Sequence, residues 1–444
     1  MTTEVERPIE ERIVQVLQHL GIAQAHVAAR VPGDWQGIAT THPESIASLT
    51  LVCPQGMEPN ILGPLASRLL VISGDQGRPA ERARRVVMNL PEATLHILRD
   101  NISPTPYTDL AVERTDEIGA AMTDFLARID QRKGIRTVAL SAVMGELAGI
   151  FYRVQGAGSP LVLLPLSVAP SQWEPLLPQL TKQHCTITLS GPALGMVASL
   201  EGRGRTAGYL SVVGKLLEAA HLEPGEVVLE VGCGTGVLDR WLAHRTGGAN
   251  RIVGVDINPF LLREAMALAK QEALEHIIAF REGHAEALPF ADSSFDVAMS
   301  STVIQRVDAD RMLAEMVRVT KPGGRVAVVG HAHDMSRWVN LPLRAELKTK
   351  VEAPGWADES GHPRGCDDAS LYQRVHQAGL TKVSMFPQLA TFDDRSRLQM
   401  LQASILPTLS PEEAKEWRAA VAQGEAEGTF FIATPFHCAV GTKP

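Results

Sequence analysis

The sequence contains no apolar run long enough to span a bilayer. Its longest uninterrupted stretch, residues 161–166 between Pro160 and Ser167, falls far short of the ~20 residues required. It has no basic excess either: 42 Lys and Arg stand against 50 Asp and Glu, a formal net charge of -8. That sign opposes a phosphate-tracking surface, so nucleic acid is excluded as the expected partner. The opening MTTEVERPIEERIVQ has no basic segment leading into an apolar one, which argues against a secretory signal and for a cytoplasmic chain. Cysteine is scarce and scattered. Cys53, Cys185, Cys233, Cys366 and Cys438 are odd in number and form no CxxC pair, which excludes a disulfide framework and a thiolate zinc site. No repeat of fixed period and no low-complexity tract occurs.

What is present points to an α/β protein. At ~100–200 residues per domain, 444 residues predict two or three domains, and an apolar fraction of 45% supplies a core for each. Residues 8–129 alternate a helical pattern at 10–20 with strand-like runs beginning at Ser48, Leu69 and Thr94. A polar link at 130–136 leads to YRVQGAGSPLVLLPLS, read as a hairpin-like pair of strands around 156–159. From Arg205 onward EVVLEVG, RIVGVDI, HIIAFREG, FDVAMSSTV and GRVAVVG are strand candidates separated by helical patterns such as LLREAMALAKQEA. This rhythm predicts a mostly parallel, doubly wound sheet with a ligand at the carboxyl ends of its strands. Residues 352–368, rich in Gly, Pro, Asp and His, predict an insertion above that carboxyl edge.

The sharpest motif is Glu230-Val231-Gly232-Cys233-Gly234-Thr235-Gly236, between an apolar strand and a helix starting near Val237. Glycines at that spacing permit a sharp turn and close approach of a ligand to the backbone. Twenty residues beyond Gly236, at the end of the next strand, Asp256 can accept two charge-assisted hydrogen bonds from a ribose diol. A dinucleotide fingerprint would read GxGxxG and cradle a diphosphate. This turn reads GxGxG and carries Glu230, which would repel a diphosphate and suits a cationic ammonium.

Residues 205–331 resemble a class I S-adenosylmethionine-dependent methyltransferase of the small-molecule group that includes the quinone C-methyltransferases. The likeness rests on VLEVGCGTG, VGVDIN, GHAEALPFADSSFD and EMVRVTKPGG, in the family's order and spacing. It implies a Rossmann-like domain over 201–444, with an acceptor-lid insertion at about 335–370, that consumes S-adenosylmethionine and releases S-adenosylhomocysteine. It implies further that Glu230, Gly232, Cys233, Gly234, Thr235 and Gly236 surround the methionine moiety, that Asp256 holds the ribose and that Ile257 flanks the adenine. By the same likeness Tyr209 lies over the cofactor, Ala285 and Leu288 close over the base, and Ser300 sits beside the sulfonium. His284 stands where the family places an acidic residue, and a neutral imidazole nitrogen could accept the adenine amino hydrogen bond.

Methyl transfer is an in-line displacement, so the protein must chiefly align the acceptor, with a base needed only if the acceptor loses a proton. His331 and His333, with Asp334 to orient one of them, are the expected catalytic groups. We assign no metal ligands, the weaker alternative being a site from His331, His333, His362, Cys366 and His437. The acceptor pocket is expected from Trp338, Met335, the insertion around Trp356 and His362, the helix SLYQRVHQAGL and the last strands. The acceptor would be a small, hydrophobic molecule.

Residues 10–130 resemble the second half of an α/β-hydrolase and 149–200 its first half, as in a circular permutation, which implies an α/β-hydrolase-like domain over 1–200. The catalytic groups are missing. Valine stands at Val31 where a nucleophilic serine belongs, Gly77 where the acid belongs although Asp75 is near, and no histidine occurs at 101–104. The domain is read as non-catalytic, serving as a cover, a homodimer contact or a ligand site. A pseudo-enzyme that only senses S-adenosylmethionine, and a hydrolase using Ser167 or Ser171, are the rival readings.

Overall fold

The computed structural model describes residues 7–444 except 31, 55–56, 103–113, 141, 167, 192–193, 356–361, 395–396, 399–400 and 403–404. Val31, Ser167 and Trp356 of the sequence reading lie outside the described residues. The chain divides into two compact units, Met1–Ser199 and Leu200–Pro444.

The first unit is built on one eight-stranded sheet: β1 Ala25–Ala29, β2 Ile46–Val52, β3 Leu69–Gln76, β4 Thr94–Ile102, β5 Val143–Leu147, β6 Ile150–Gln155, β7 Ser159–Leu163 and β8 His184–Ser190. Their order is β4-β3-β2-β1-β7-β8-β6-β5. Pairs from β4 to β8 are parallel, whereas β6 runs antiparallel to both β8 and β5. The central strands are buried on both faces, the burial a parallel sheet requires. The expected hairpin at 156–159 does not form: β6 and β7 do not pair with each other, and β8 lies between them. The reason is the insertion of β8 between them. Gly156 and Gly158 take φ of 78° and 132° and press on the backbone entering β8, where an added Cβ would lie 2.5 Å from the His184 carbonyl oxygen.

A polar network runs through the amino ends of four of these strands. His26 Nδ1 meets Ser48 Oγ at 2.8 Å and His26 Nε2 meets Asp130 Oδ1 at 2.9 Å. Ser159 Oγ donates to Asp130 Oδ2 at 2.7 Å and lies 2.8 Å from His184 Nδ1. All but Asp130 are buried.

The second unit carries the other sheet: β9 Val227–Val231, β10 Arg251–Asp256, β11 Ile278–Glu282, β12 Phe295–Ser301, β13 Thr320–His331, β14 Trp338–Val339, β15 Thr381–Phe392 and β16 Ile432–Thr442. Its order is β11-β10-β9-β12-β13-β16-β14, with β15 on the far side of β16. The first five are parallel, as the strand-helix rhythm predicts, and β14, β15 and β16 pair antiparallel. Along β13, Ala327 and Val329 join one core layer with Val213 and Trp417, while Val326 and Val328 join the opposite layer with Met312 and Leu371. Helix Ser370–Gln377, expected at the acceptor pocket, buries Leu371 and Val375 in that second layer. Among the described residues, no helix is long and apolar enough to cross a membrane.

The buried network sets a pH dependence on the first unit. Burial, then the His26 charge, lower the His184 pKa despite Asp130. The unfolded chain therefore takes up a proton below its ordinary histidine pKa that the folded unit resists, and stability falls as pH drops from about 6.5. Urea unfolding at pH 8 and pH 5.5 is expected to give the lower midpoint at pH 5.5. In Asp130→Ala, the hydrogen bonds from His26 and Ser159 to the carboxylate are lost, at a cost of about 1–3 kcal/mol at pH 8.

Candidate functional site

The carboxyl end of β9 turns sharply because Gly232, Gly234 and Gly236 take φ of 76°, 56° and 67°. Protein packing adds to that demand. A Cβ on Gly232 would lie 2.2 Å from Val303 Cγ2, and one on Gly236 would lie 2.6 Å from Phe280 Cζ. At these two glycines the neighbour that excludes a side chain is therefore the protein itself. The amides of Gly232 and Cys233 both donate to Val255 O, that of Gly234 to Asp256 Oδ2 at 2.9 Å, and that of Gly236 to Cys233 O. Those four donors are spent inside the protein, which does not suit a cradle for a diphosphate.

Beneath the turn lies an ion-paired cluster that the sequence does not announce. Arg240, on helix Val237–Arg245, donates from Nη2 to Glu201 Oε2 at 2.6 Å, from Nη1 to Thr235 O at 2.6 Å and from Nε to Glu272 Oε1 at 2.8 Å. Thr235 Oγ1 donates to Glu201 Oε1 at 2.6 Å. The side chain of Thr235, expected among the cofactor's neighbours, thus faces inward. Ser300 does likewise, its buried hydroxyl donating to Val231 O at 2.8 Å.

Asp256 ends β10, and its Oδ1 accepts the Asn258 amide at 2.9 Å while Oδ2 holds Gly234. Each oxygen keeps a second lone pair for a ligand hydroxyl. Burial raises its pKa, against backbone hydrogen bonds that lower it. Next to it Ile257 is 59% exposed, an apolar surface beside a carboxylate at a strand end. Leu288 is buried and Ala285 half-buried. His284 is exposed, and its Nδ1 accepts the Glu286 amide at 3.1 Å. That bond puts the proton of the neutral ring on Nε2, which then donates.

Glu230 and Asp239 are 3% and 1% exposed. Burial first, then Asp239, push the Glu230 pKa well above the usual carboxyl range, with Arg203 acting the other way. Arg203, on helix Gly195–Arg205, stacks over the Tyr209 ring with Cζ 4.8 Å from the centroid. Its buried Nε has no hydrogen-bond partner. Tyr209 is fully buried, its hydroxyl 2.6 Å from Ser301 Oγ and its ring edge-on to Phe436 at 5.7 Å. Tyr209 thus packs against β12 and β16.

The expected histidines do come together: His331 and His333 stack at 5.6 Å, and His331 packs on Phe436 at 5.0 Å. Their orienting acid is not the expected one. Asp334 Oδ1 meets His437 Nε2 at 2.7 Å, and it is Asp367 Oδ2 that meets His333 Nδ1 at 2.8 Å. Asp334 is engaged by His437 and by the Ala369 amide, whereas Asp367 comes to His333 from the insertion. Desolvation, then Arg203, His333, Arg397 and Arg306, push the His331 pKa well below its ordinary value. The described part of the insertion sits over the end of β12, where the His362 amide donates to Gln305 O and the Cys366 amide to Ile304 O. Trp338, expected in the acceptor pocket, is 51% exposed and meets Phe431 edge-on. Among the described residues no group of three or more His, Cys, Asp or Glu side chains could hold a metal ion.

A parallel five-stranded sheet with a reversed last strand, a glycine turn after β9 and an acidic residue at the end of β10 define a nucleoside-binding methyltransferase fold. Residues 229–328 match a family described as "Methyltransferase domain". The Ubiquinone/menaquinone biosynthesis C-methyltransferase UbiE of Shewanella frigidimarina is 30% identical over 181 residues, covering 38% of this chain and 71% of the relative. The enzyme of the same name from Legionella pneumophila is 35% identical over 114 residues, covering 26% of this chain and 46% of the relative, so the chain spans under half of that relative's length. Among solved structures, YcgJ of Bacillus subtilis is 19% identical with a TM-score of 0.36, covering 53% of this chain and 98% of that one, too low to add to the topology. The chain belongs, through its second unit, to the S-adenosylmethionine-dependent methyltransferase family.

The ion-paired cluster yields a test. With side chains 1% and 3% exposed, Glu201 and Arg240 are a buried pair, and removing Glu201 leaves the guanidinium with Glu272 as its remaining carboxylate, at a cost of about 1–3 kcal/mol. Glu201→Ala is expected to lower the thermal midpoint of the second unit by several degrees, read by calorimetry.

Proposed function

We propose that the second unit transfers a methyl group from S-adenosylmethionine to a small acceptor that is largely apolar and is deprotonated as it reacts. The observation that carries this reading is the meeting of buried Glu230, the glycine turn and Asp256 at the carboxyl ends of β9 and β10. Asp256 would accept from the ribose hydroxyls, and Ile257 and Leu288 would flank the base. Glu230 would take the ammonium and Arg203 the carboxylate of the amino-acid end. The unpartnered atoms Glu230 Oε2 and Arg203 Nε fit such a zwitterion in sign. The bound donor supplies an activated sulfonium carbon.

The chain's own task is then alignment, exclusion of water and proton removal. His331 is present as the neutral ring that can accept a proton from the acceptor, a weaker base than a free histidine because burial and the arginines disfavour its charged form, and His333 supports it by stacking. The arginines that disfavour a charged His331 would favour an acceptor turning anionic.

The first unit we read as a permuted α/β-hydrolase-like scaffold without its catalytic groups. Its strand order supports this: written from β5, it runs β5-β6-β8-β7-β1-β2-β3-β4, with β6 reversed. At the carboxyl end of β1, beside the nucleophile position, buried Arg30 donates to Cys53 O and Leu166 O. Ser171 Oγ is buried with no hydrogen-bond partner, so no base activates it.

Formation of S-adenosylhomocysteine from S-adenosylmethionine, measured against a panel of hydroquinones and phenols, tests the main reading. Turnover is expected with at least one acceptor, whereas donor binding without any product would make the protein a sensor. Asp256→Ala is expected to weaken donor affinity about 10- to 100-fold, the worth of a charge-assisted hydrogen bond or two. His331→Ala is expected to lower kcat about 10²- to 10⁴-fold with donor affinity unchanged; unaltered kcat at saturating acceptor removes the base assignment.

A further inference from the structure

Asp239 has no place in the sequence motifs, yet it is 1% exposed and lies directly under the glycine turn. A Cβ on Gly254 of β10 would lie 2.7 Å from Asp239 Oδ2 and 2.8 Å from Cys233 Sγ, so the carboxyl is walled in by that strand and that thiol. No protein N–H or O–H is placed to satisfy Asp239 Oδ1, Asp239 Oδ2 or Glu230 Oε2. The two carboxyls instead lie within hydrogen-bonding reach of each other, a contact that requires a proton on one of them.

We propose that Glu230 and Asp239 act as one ammonium receptor, sharing a single proton while the site is empty and releasing it when a ligand's ammonium group settles against Glu230. This rests on the reading of Glu230 as the contact for the amino-acid end of the donor. Two carboxylates side by side and out of water ionise together only when enough positive charge faces them; Arg203 and Arg240 supply part of it, and an arriving ammonium adds the rest.

The surroundings agree with one proton and not two. Facing Glu230 are Arg203, which favours its charge, and Asp256, which opposes it. Facing Asp239 is Arg240 from its own helix, already committed to Glu201 and Glu272. Cys233 beside them has its thiol pKa pushed well above the ordinary value by burial, then by Asp239, Asp256 and Glu230, so it contributes no charge. Burial raises Asp239 to about 6, against lowering by Glu230 and Arg240.

Asp239 is therefore a positioning residue, acting on the ligand through Glu230. Its sign follows from linkage. A proton held by the empty site and lost from the filled one makes affinity rise with pH, by up to tenfold per unit, until the empty pair is itself deprotonated.

The test is calorimetric titration of the full chain with S-adenosylhomocysteine, which keeps the ammonium and does not react. At pH 5.5–6.5, in buffers of differing ionisation heat, release approaching one proton per site is expected, with affinity rising across pH 5–7. In Asp239→Asn the released proton is lost and the affinity no longer rises with pH. Binding with equal heats in all buffers overturns the proposal, as does undiminished proton release from Asp239→Asn. The wild-type proton count decides alone if that variant does not fold. Failure to bind S-adenosylhomocysteine at any pH overturns the assignment of the site itself.

Discussion

The site of the second unit depends on the buried ion pair between Glu201 and Arg240. Three alternate glycines at positive φ make a turn whose ordering costs more backbone entropy than any other residues would require. Something must hold it. The guanidinium of Arg240 grips the Thr235 carbonyl, and Glu201 grips the Thr235 hydroxyl, so one acid and one base fasten the middle of the turn from both sides. Desolvating two charges costs several kcal/mol each, and their attraction offsets this only when the remaining donors and acceptors are also engaged. Here Glu201 uses both oxygens and Arg240 three nitrogens. The fastened turn then presents the Gly234 amide to Asp256, which holds the carboxylate at the end of β10.

Around this turn the charges sort by sign. Glu230, Asp239 and Asp256 collect on the side of β9 and β10, while His331 at the end of β13 lies under the influence of Arg203, Arg306 and Arg397. Under the proposed reading the acidic groups meet the ends of the donor that do not react. Tight binding of the ground state at the reacting carbon would gain no rate, whereas binding energy from remote groups can be used for alignment. Near the end of β12 the structure offers neutral hydroxyls, Ser301 and Tyr209, consistent with that division.

The sheet of the second unit is legible because strands buried on both faces need apolar centres, and VVL, IVGV and VAM supply them. Glu230, Asp256 and the glycines are legible because backbone geometry restricts what can occupy those positions. The misreadings share another cause. A hairpin at 156–159 agrees with local turn chemistry, and only the long-range insertion of β8 overrides it. Asp334 is the nearest acid to His333 in sequence, but Asp367 arrives from 34 residues away. Asp239 and Arg240, which no sequence motif marks, are both buried on helix Val237–Arg245. Partners chosen by folding at a distance leave no periodic mark.

The two units place their buried polar groups at opposite ends of similar sheets, and that contrast bears on where chemistry is feasible. Open parallel sheets bind ligands in the crevice at the carboxyl ends of their strands, where loops diverge and polar groups can face a ligand. In the second unit Glu230, Asp256 and His331 stand there. In the first, His26, Ser48, Ser159 and His184 stand near the amino ends, and their hydrogen bonds are directed to one another and to Asp130. Its carboxyl ends are instead tied together by Arg30, whose bonds to the Cys53 and Leu166 carbonyls occupy the backbone groups that follow β2 and β7. A serine, histidine and acid assembled in a network are therefore no sign of catalysis by themselves. What decides is whether the serine keeps its proton for a base, and at the amino end of this sheet Ser159 donates it to Asp130, while the unpartnered His184 Nε2 is buried.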